Sequence, residues 1–223
     1  MSLGAQKMEF WLDAGLKVQT GFSALYNANA GEGDWDYTVT NSTKYGFKLG
    51  FNFNYTGISL DVLTGSQNGT YRNRPGDFER EINMNVTDIY LLFRNAKSKG
   101  YIELGPKISF LRDITSTDQE LVSSVDDFYE DTNLAAVLGF GTYVLGPEDG
   151  RFSGIFGLRF EYGFQDLSNE LGSPEGTNRV PVPYVGESAS TNPIFAGIVF
   201  ELNWGIGGVG QARCGERSKF IWF

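Results

Sequence analysis

Few residues in this chain could do chemistry, and the most telling fact about them is a gap: none of the 223 residues is histidine. A hydroxyl side chain becomes a nucleophile only beside a base of suitable pKa, so no histidine-based catalytic group can be built. A Ser–Lys arrangement remains, because Lys107 and Ser109 stand two positions apart and share one face of any strand. A second candidate is the acidic run Asp113, Asp118, Glu120, Asp126, Asp127, Glu130 and Asp131. Oxygen ligands suit calcium, and Asp126, Asp127, Glu130 and Asp131 are the weak candidates for such a site. Their spacing is not that of an EF-hand, and a run of like charges reads first as a solvated loop. No cofactor is implied. The third feature is a set of charges at alternating positions inside otherwise apolar stretches: Asp13, Lys17, Lys48, Asp61, Asp88, Arg94, Glu103, Lys107, Arg159, Glu161 and Glu201, six acids against five bases.

The elements that carry this third set are strands. From Lys44 to Tyr55, the residues Tyr45, Phe47, Leu49, Phe51, Phe53 and Tyr55 alternate with Lys44, Gly46, Lys48, Gly50, Asn52 and Asn54, a period of two. Residues 152–164 repeat the pattern, with Phe152, Phe156, Leu158, Phe160, Tyr162 and Phe164 on one side and Ser153, Arg159 and Glu161 on the other. Strands are expected near 9–23, 44–55, 57–66, 82–95, 100–112, 133–145, 151–166 and 191–205. In the fourth, Asn83 and Asn85 do not continue the face set by Asp88, Tyr90 and Arg94. The connections alternate: 24–43, 67–81, 113–132 and 167–190 are long, whereas Thr56, 96–99 and 146–150 are short.

An even number of strands, each long enough to cross hydrocarbon at a tilt, with long loops at one end and short turns at the other, is the pattern of a single-chain outer-membrane barrel. The expected fold is therefore all-β: a closed eight-stranded antiparallel transmembrane β-barrel of up-and-down topology. It occupies 9–205, with 1–8 as a periplasmic lead-in or processing remnant and 206–223 as a periplasmic tail. The alternative is a soluble lipocalin-like carrier, with the greasy face turned inward around a ligand. The charges favour the membrane barrel: they are nearly balanced in sign, as buried charges must be, and the opposite face carries none over its central stretch. Asp88 and Lys107, and Arg94 and Glu103, are expected to meet across the turn at 96–99. Phe47, Leu49, Phe51, Leu104, Ile108, Phe156, Leu158, Phe160, Ile198 and Phe200 are expected to face lipid.

The stretches Lys44-Tyr45-Gly46-Phe47-Lys48-Leu49-Gly50, Tyr101-Ile102-Glu103-Leu104-Gly105-Pro106-Lys107, Leu138-Gly139-Phe140-Gly141 and Arg159-Phe160-Glu161-Tyr162-Gly163 resemble the outer-membrane β-barrels of Bacteroidota, the porin family or PorT-like group, over most of 9–205. The resemblance implies an eight-stranded barrel in the bacterial outer membrane and no shared catalytic residues. Some members of that group serve protein secretion or gliding. The chain departs from a usual ending at an aromatic residue of the last strand, because 205–223 continue past it.

These readings narrow the function. Lipid A palmitoyl transferases and deacylases, phospholipases and omptin-type proteases resemble one another in using histidine, so a lipid-modifying enzyme is the least favoured reading and no enzyme is expected. Eight strands leave room only for side chains inside, which excludes a solute pore. A net charge of −9 excludes a general nucleic-acid binder. The long loops sum to about −12 and the tail to about +2, so an acidic face outside the cell and a basic tail in the periplasm are expected. Asn41, Asn68 and Asn85 begin sequons that in a bacterial chain are chance matches. Gly205, Gly207, Gly208 and Gly210 are expected to end strand structure. Beyond them Arg213, Arg217, Lys219 and the single Cys214 precede Phe220, Ile221, Trp222 and Phe223, an apolar end that reads as a docking peptide for another envelope protein, as a recognition signal for barrel assembly, or as side chains lying in the membrane interface. The expected role is a non-enzymatic scaffold or interaction component of an envelope complex, with outer-membrane lipid as its surroundings.

Overall fold

The computed structural model describes residues 8–27, 35–53, 56–73, 75, 78–97, 99–118, 121–146, 152–169, 190–210 and 219–222. Eight long strands form the wall: β1 (Met8–Asn27), β3 (Thr40–Phe53), β4 (Thr56–Asn73), β5 (Phe78–Lys97), β6 (Gly100–Asp118), β8 (Thr132–Leu145), β9 (Phe152–Gly163) and β10 (Thr191–Gly210). Three short ones, β2 (Trp35–Thr38), β7 (Leu121–Ser124) and β11 (Lys219–Trp222), add to β4, β6 and β10 respectively. Every pairing is antiparallel, and β10 closes on β1 along its whole length.

Following partner to partner around the wall gives Leu12, Phe51, Ile58, Phe93, Leu104, Leu138, Phe160 and Ala196, and then Phe22. The walk starts on β1 at Leu12 and returns to it at Phe22, a stagger of ten residues. With a rise of ~3.3 Å per residue and strands ~4.7 Å apart, that stagger in eight strands sets a tilt of roughly 40°. At that tilt about ten residues climb ~25 Å, the height of a transmembrane band. β1, β5 and β10 each have 20 residues, about twice that requirement.

The surplus length lies where loops were expected. β1 runs to Asn27, β4 to Asn73, β5 begins at Phe78, and β6 reaches Asp118. The side-chain code reverses there. Along β4 the outward residues are Ile58, Leu60 and Val62, then Thr64, Ser66, Asn68, Thr70 and Arg72, while the inward ones change from Ser59 and Asp61 to Tyr71. β5 does the same: Ile89, Leu91 and Phe93 point out below, and Ile82, Met84 and Val86 point in above. Asn83 and Asn85 therefore keep register. They are outward residues above the apolar band, where outward polarity is appropriate. The irregularity in this region is a bulge on β6, where Asn83 pairs with Thr115 and Asn85 with Arg112. Asp113 within it has φ 48°, a conformation that aspartate tolerates better than most residues.

The glycine-rich end of β10 also departs from expectation. The strand continues through Gly205, Gly207 and Gly208 to Gly210, because β1 bonds it on one side and, beyond Phe152 where β9 begins, β11 bonds it on the other. Glycine weakens a strand on its own, but two neighbours hold this one.

Candidate functional site: the charged lumen and its apolar crown

Alternation places one side chain in two inside the barrel, and tilt stacks them in tiers. The lower tier is centred on Glu201, which is fully buried. Its carboxylate takes Lys48 Nζ at 2.7 Å, Arg94 Nη2 at 2.8 Å and Lys17 Nζ at 3.0 Å. Arg94 also holds Glu103 at 2.6 Å, Glu103 holds Arg159 at 2.6 Å, and Lys17 holds Asp61 at 2.5 Å. Asp13 closes the bottom at 3.3 Å from Lys48 and accepts a hydrogen bond from Asn52. In the upper tier Lys107 lies 2.7 Å from Glu161 and 3.5 Å from Asp88, and Lys44 lies 2.6 Å from Asp88 and 3.8 Å from Glu161. Gln19 joins the tiers, accepting from Arg159 Nη1 at 2.9 Å and donating to Glu161 at 3.0 Å. Tyr90 sits beneath Arg159, whose guanidinium lies 4.9 Å from the ring centre. Gly139 faces this network: a Cβ there would stand 2.7 Å from Glu103 Oε1, so only glycine leaves the carboxylate room to reach both arginines.

All eleven charged residues singled out from the sequence lie in this network, and the two pairs expected across 96–99 meet at 2.6 Å (Arg94 with Glu103) and 3.5 Å (Lys107 with Asp88). Lys44 was missed, as were Gln19 and Tyr90. Lys44 makes the count six bases against six acids, and each base contacts two acids. Neutrality is what a low-dielectric interior demands, since a single unpaired buried charge costs several kcal/mol. Lys107 is committed to two carboxylates and is not free to serve Ser109 as a base. A polar cavity of ≈ 10 Å³ remains near Asp13, Lys48, Arg94 and Tyr143, room for about one water molecule.

The outer face is the converse. Phe47, Leu49, Phe51, Leu104, Ile108, Phe156, Leu158, Phe160, Ile198 and Phe200 are all exposed, Phe47 at 70%. This overturns the lipocalin-like alternative, which needs the greasy face inside and a cavity within it. Here charge fills the inside, because twelve charged side chains cannot face hydrocarbon and can satisfy one another.

Above the network the interior becomes apolar. Leu25, Tyr71, Ile82, Met84, Val86, Leu111, Ile114, Val125, Tyr129 and Leu167 form one buried cluster. Residues 164–169 leave the line of β9, and Leu167 turns inward, its N–H donating to Thr191 O at 3.0 Å and its carbonyl accepting from Glu130 N at 2.9 Å. Asp126, proposed above as a calcium ligand, spends its carboxylate on Ile114 N at 2.5 Å and Ser124 Oγ at 2.6 Å. Among the described residues no three acidic groups converge on one point. Those two hydrogen bonds hold the Asp126 carboxyl below the usual aspartate value. A lowered folded-state pKa stabilises above the unfolded value, ~3.9, and that stability is lost as pH falls through the folded one. The protection of the Ile114 amide, measured against its intrinsic exchange rate at each pH, should accordingly fall on acidification below pH ~4, and Asp126→Ala should remove that pH dependence.

The tail is only partly described. Arg213, Cys214, Arg217 and Phe223 lie outside the described residues, as do 1–7. Lys219, Phe220, Ile221 and Trp222 pair as β11 with Gly210, Val209, Gly208 and Gly207 of the chain's own barrel, and Trp222 is exposed.

A scan against protein-family models found no match, and a search of curated proteins found none. Among solved structures, neisserial surface protein A (NspA) aligns over 88% of this chain and 96% of its own, at 11% identity and a TM-score of 0.38. The outer membrane protein OprG from Pseudomonas aeruginosa aligns over 91% and 97%, at 13% identity and a TM-score of 0.40.

Proposed function

We propose that this chain is a non-conducting, non-enzymatic outer-membrane barrel, an anchor that carries a rigid crown into the space outside the cell as an interaction component of an envelope assembly. The observation that carries the reading is the pairing of an apolar outer band with a neutral, filled lumen. A band ~25 Å tall matches what a transmembrane barrel presents to lipid. Aromatic side chains edge it: Phe10 against Phe53 at 5.1 Å and Phe152 against Trp204 at 5.6 Å at the tight-turn end, and Tyr162 against Phe164 at 5.9 Å toward the crown. Aromatic rings favour such interfaces. Long connections at one end and tight turns at the other support a crown outside the cell and tight turns in the periplasm.

The filled lumen supports anchoring over transport. Twelve interlocked charges would have to separate to pass a solute. Catalysis finds no support either, since every lumen base is ion-paired and the chain has no histidine. The crown supports an interaction role, because a packed apolar cluster costs nothing to order when a partner arrives. Secretion is one process such a component could serve. In planar bilayers the purified protein should insert without discrete channel openings in 1 M KCl. Stepwise conductance would overturn the anchor reading.

A further inference from the structure

We infer that the outer edge of β7, at the tip of the crown, is an acceptor for an extended basic segment of a partner protein, which adds to the crown as a further strand. This rests on the interaction reading above and names its surface. β6 and β7 form a hairpin in which Thr115 faces Ser124, Thr117 faces Val122 and Asp118 faces Leu121. Among the described residues β7 pairs with β6 alone. All four β7 residues are exposed, Leu121 at 77% and Val122 at 65%.

The hydrogen-bond phase of the hairpin shows which groups the edge offers. Val125 N donates to Ile114 O, so bonded pairs recur at 116 with 123 and at 118 with 121. The N–H and C=O groups of Val122 and Ser124 therefore point away from β6. Natural sheets protect such edges with lysine, proline or a covering segment, and Leu-Val-Ser-Ser has neither residue. The chemistry of the partner follows from charge. Residues 113–131 hold seven acids and no base, and Asp113, Asp126, Asp127, Glu130 and Asp131 are exposed. A second copy of this hairpin would bring like charge against like. An extended segment alternating basic and apolar side chains would meet carboxylates and lay its apolar face on Leu121 or Val122.

The test uses the whole protein in detergent micelles and a capped, fluorescent Lys-Val-Lys-Val-Lys peptide, followed by polarisation. Three outcomes are expected: the probe binds, its Glu-Val-Glu-Val-Glu counterpart binds at least tenfold more weakly, and alternate backbone N-methylation weakens the lysine probe at least tenfold. Val122→Pro should have the same effect as N-methylation, since it deletes an edge donor without touching the β6–β7 ladder. Unchanged exchange of the Val125 amide, which donates to Ile114 O across the hairpin, verifies that the hairpin survives in this variant, and Val122→Asp, which adds charge but keeps the donor, should still bind. Equal affinity for Val122→Pro and the parent, or for the methylated and plain probes, would reduce the effect to charge attraction and overturn the proposal. Sedimentation showing dimers that Val122→Pro dissolves would assign the edge to a second copy and overturn it too. A barrel that conducts yet binds the probe in this manner would sink the anchor reading alone.

Discussion

Glu201→Leu should lower the unfolding free energy of the vesicle-inserted barrel by ~3–5 kcal/mol, the cost of stranding one side of a buried ion pair. It is the most damaging single change in the network, because among the described residues Glu201 alone of the acids meets three bases, Lys17, Lys48 and Arg94. Its loss leaves Lys48 with Asp13 at 3.3 Å and Arg94 with Glu103, so the cations lose neutrality without losing every partner. Adding Lys48→Met to Glu201→Leu should recover part of the loss, since it removes a cation that the first change left in excess. Reversible urea unfolding followed by tryptophan fluorescence measures both. A loss below ~1 kcal/mol would mean that the lumen is wet enough to screen its charges, as at a protein surface.

Phe47→Arg is the second large effect, ~2–4 kcal/mol, the cost of arginine toward the middle of the lipid-facing surface of a barrel. Phe47 is 70% exposed between Tyr45 and Leu49 on the outer face of β3, three outward positions above Phe53 at the tight-turn edge of the band. In water, a largely exposed phenylalanine changed to arginine would cost little and aid solubility. The same unfolding assay should show the loss in vesicles, and Asn41→Arg, on the same outward face beyond the apolar band, should be nearly neutral. Equal effects at Asn41 and Phe47 would remove the case for lipid around β3.

Much of this architecture is legible in the sequence because a strand has a period of two and the barrel gives its faces opposite chemistry. Lys17, Lys48, Arg94 and Glu161 announce themselves as charges on a face whose reverse is aromatic. Lys44 shares parity with Lys48 but opens its expected strand, where a charge marks a strand end as readily as an inward face. The surplus acid in the count was the signal that a base was missing. Gln19 carries no charge to mark it, although it continues the face of Asp13 and Lys17. Two features misled for a physical reason. Asn83 and Asn85 resemble a register fault under a single polarity rule, whereas the surroundings change where the apolar band ends, and inside and outside exchange roles. The glycines after Trp204 resembled a strand end because propensity is a local property, and barrel closure supplies the pairing from β1, nearly two hundred residues away in the chain.

The claim on which the rest depends is that this barrel is greasy outside and ion-paired inside. Photolabelling the vesicle-inserted protein with a lipid-soluble carbene precursor and mapping adducts by mass spectrometry tests it directly. Label is expected on Phe47, Leu49, Phe51, Leu104, Phe156, Phe160 and Phe200, and none on Lys17, Glu103, Arg159 or Glu201. A protein that stays in solution without detergent, with those aromatic side chains unlabelled, would contradict it.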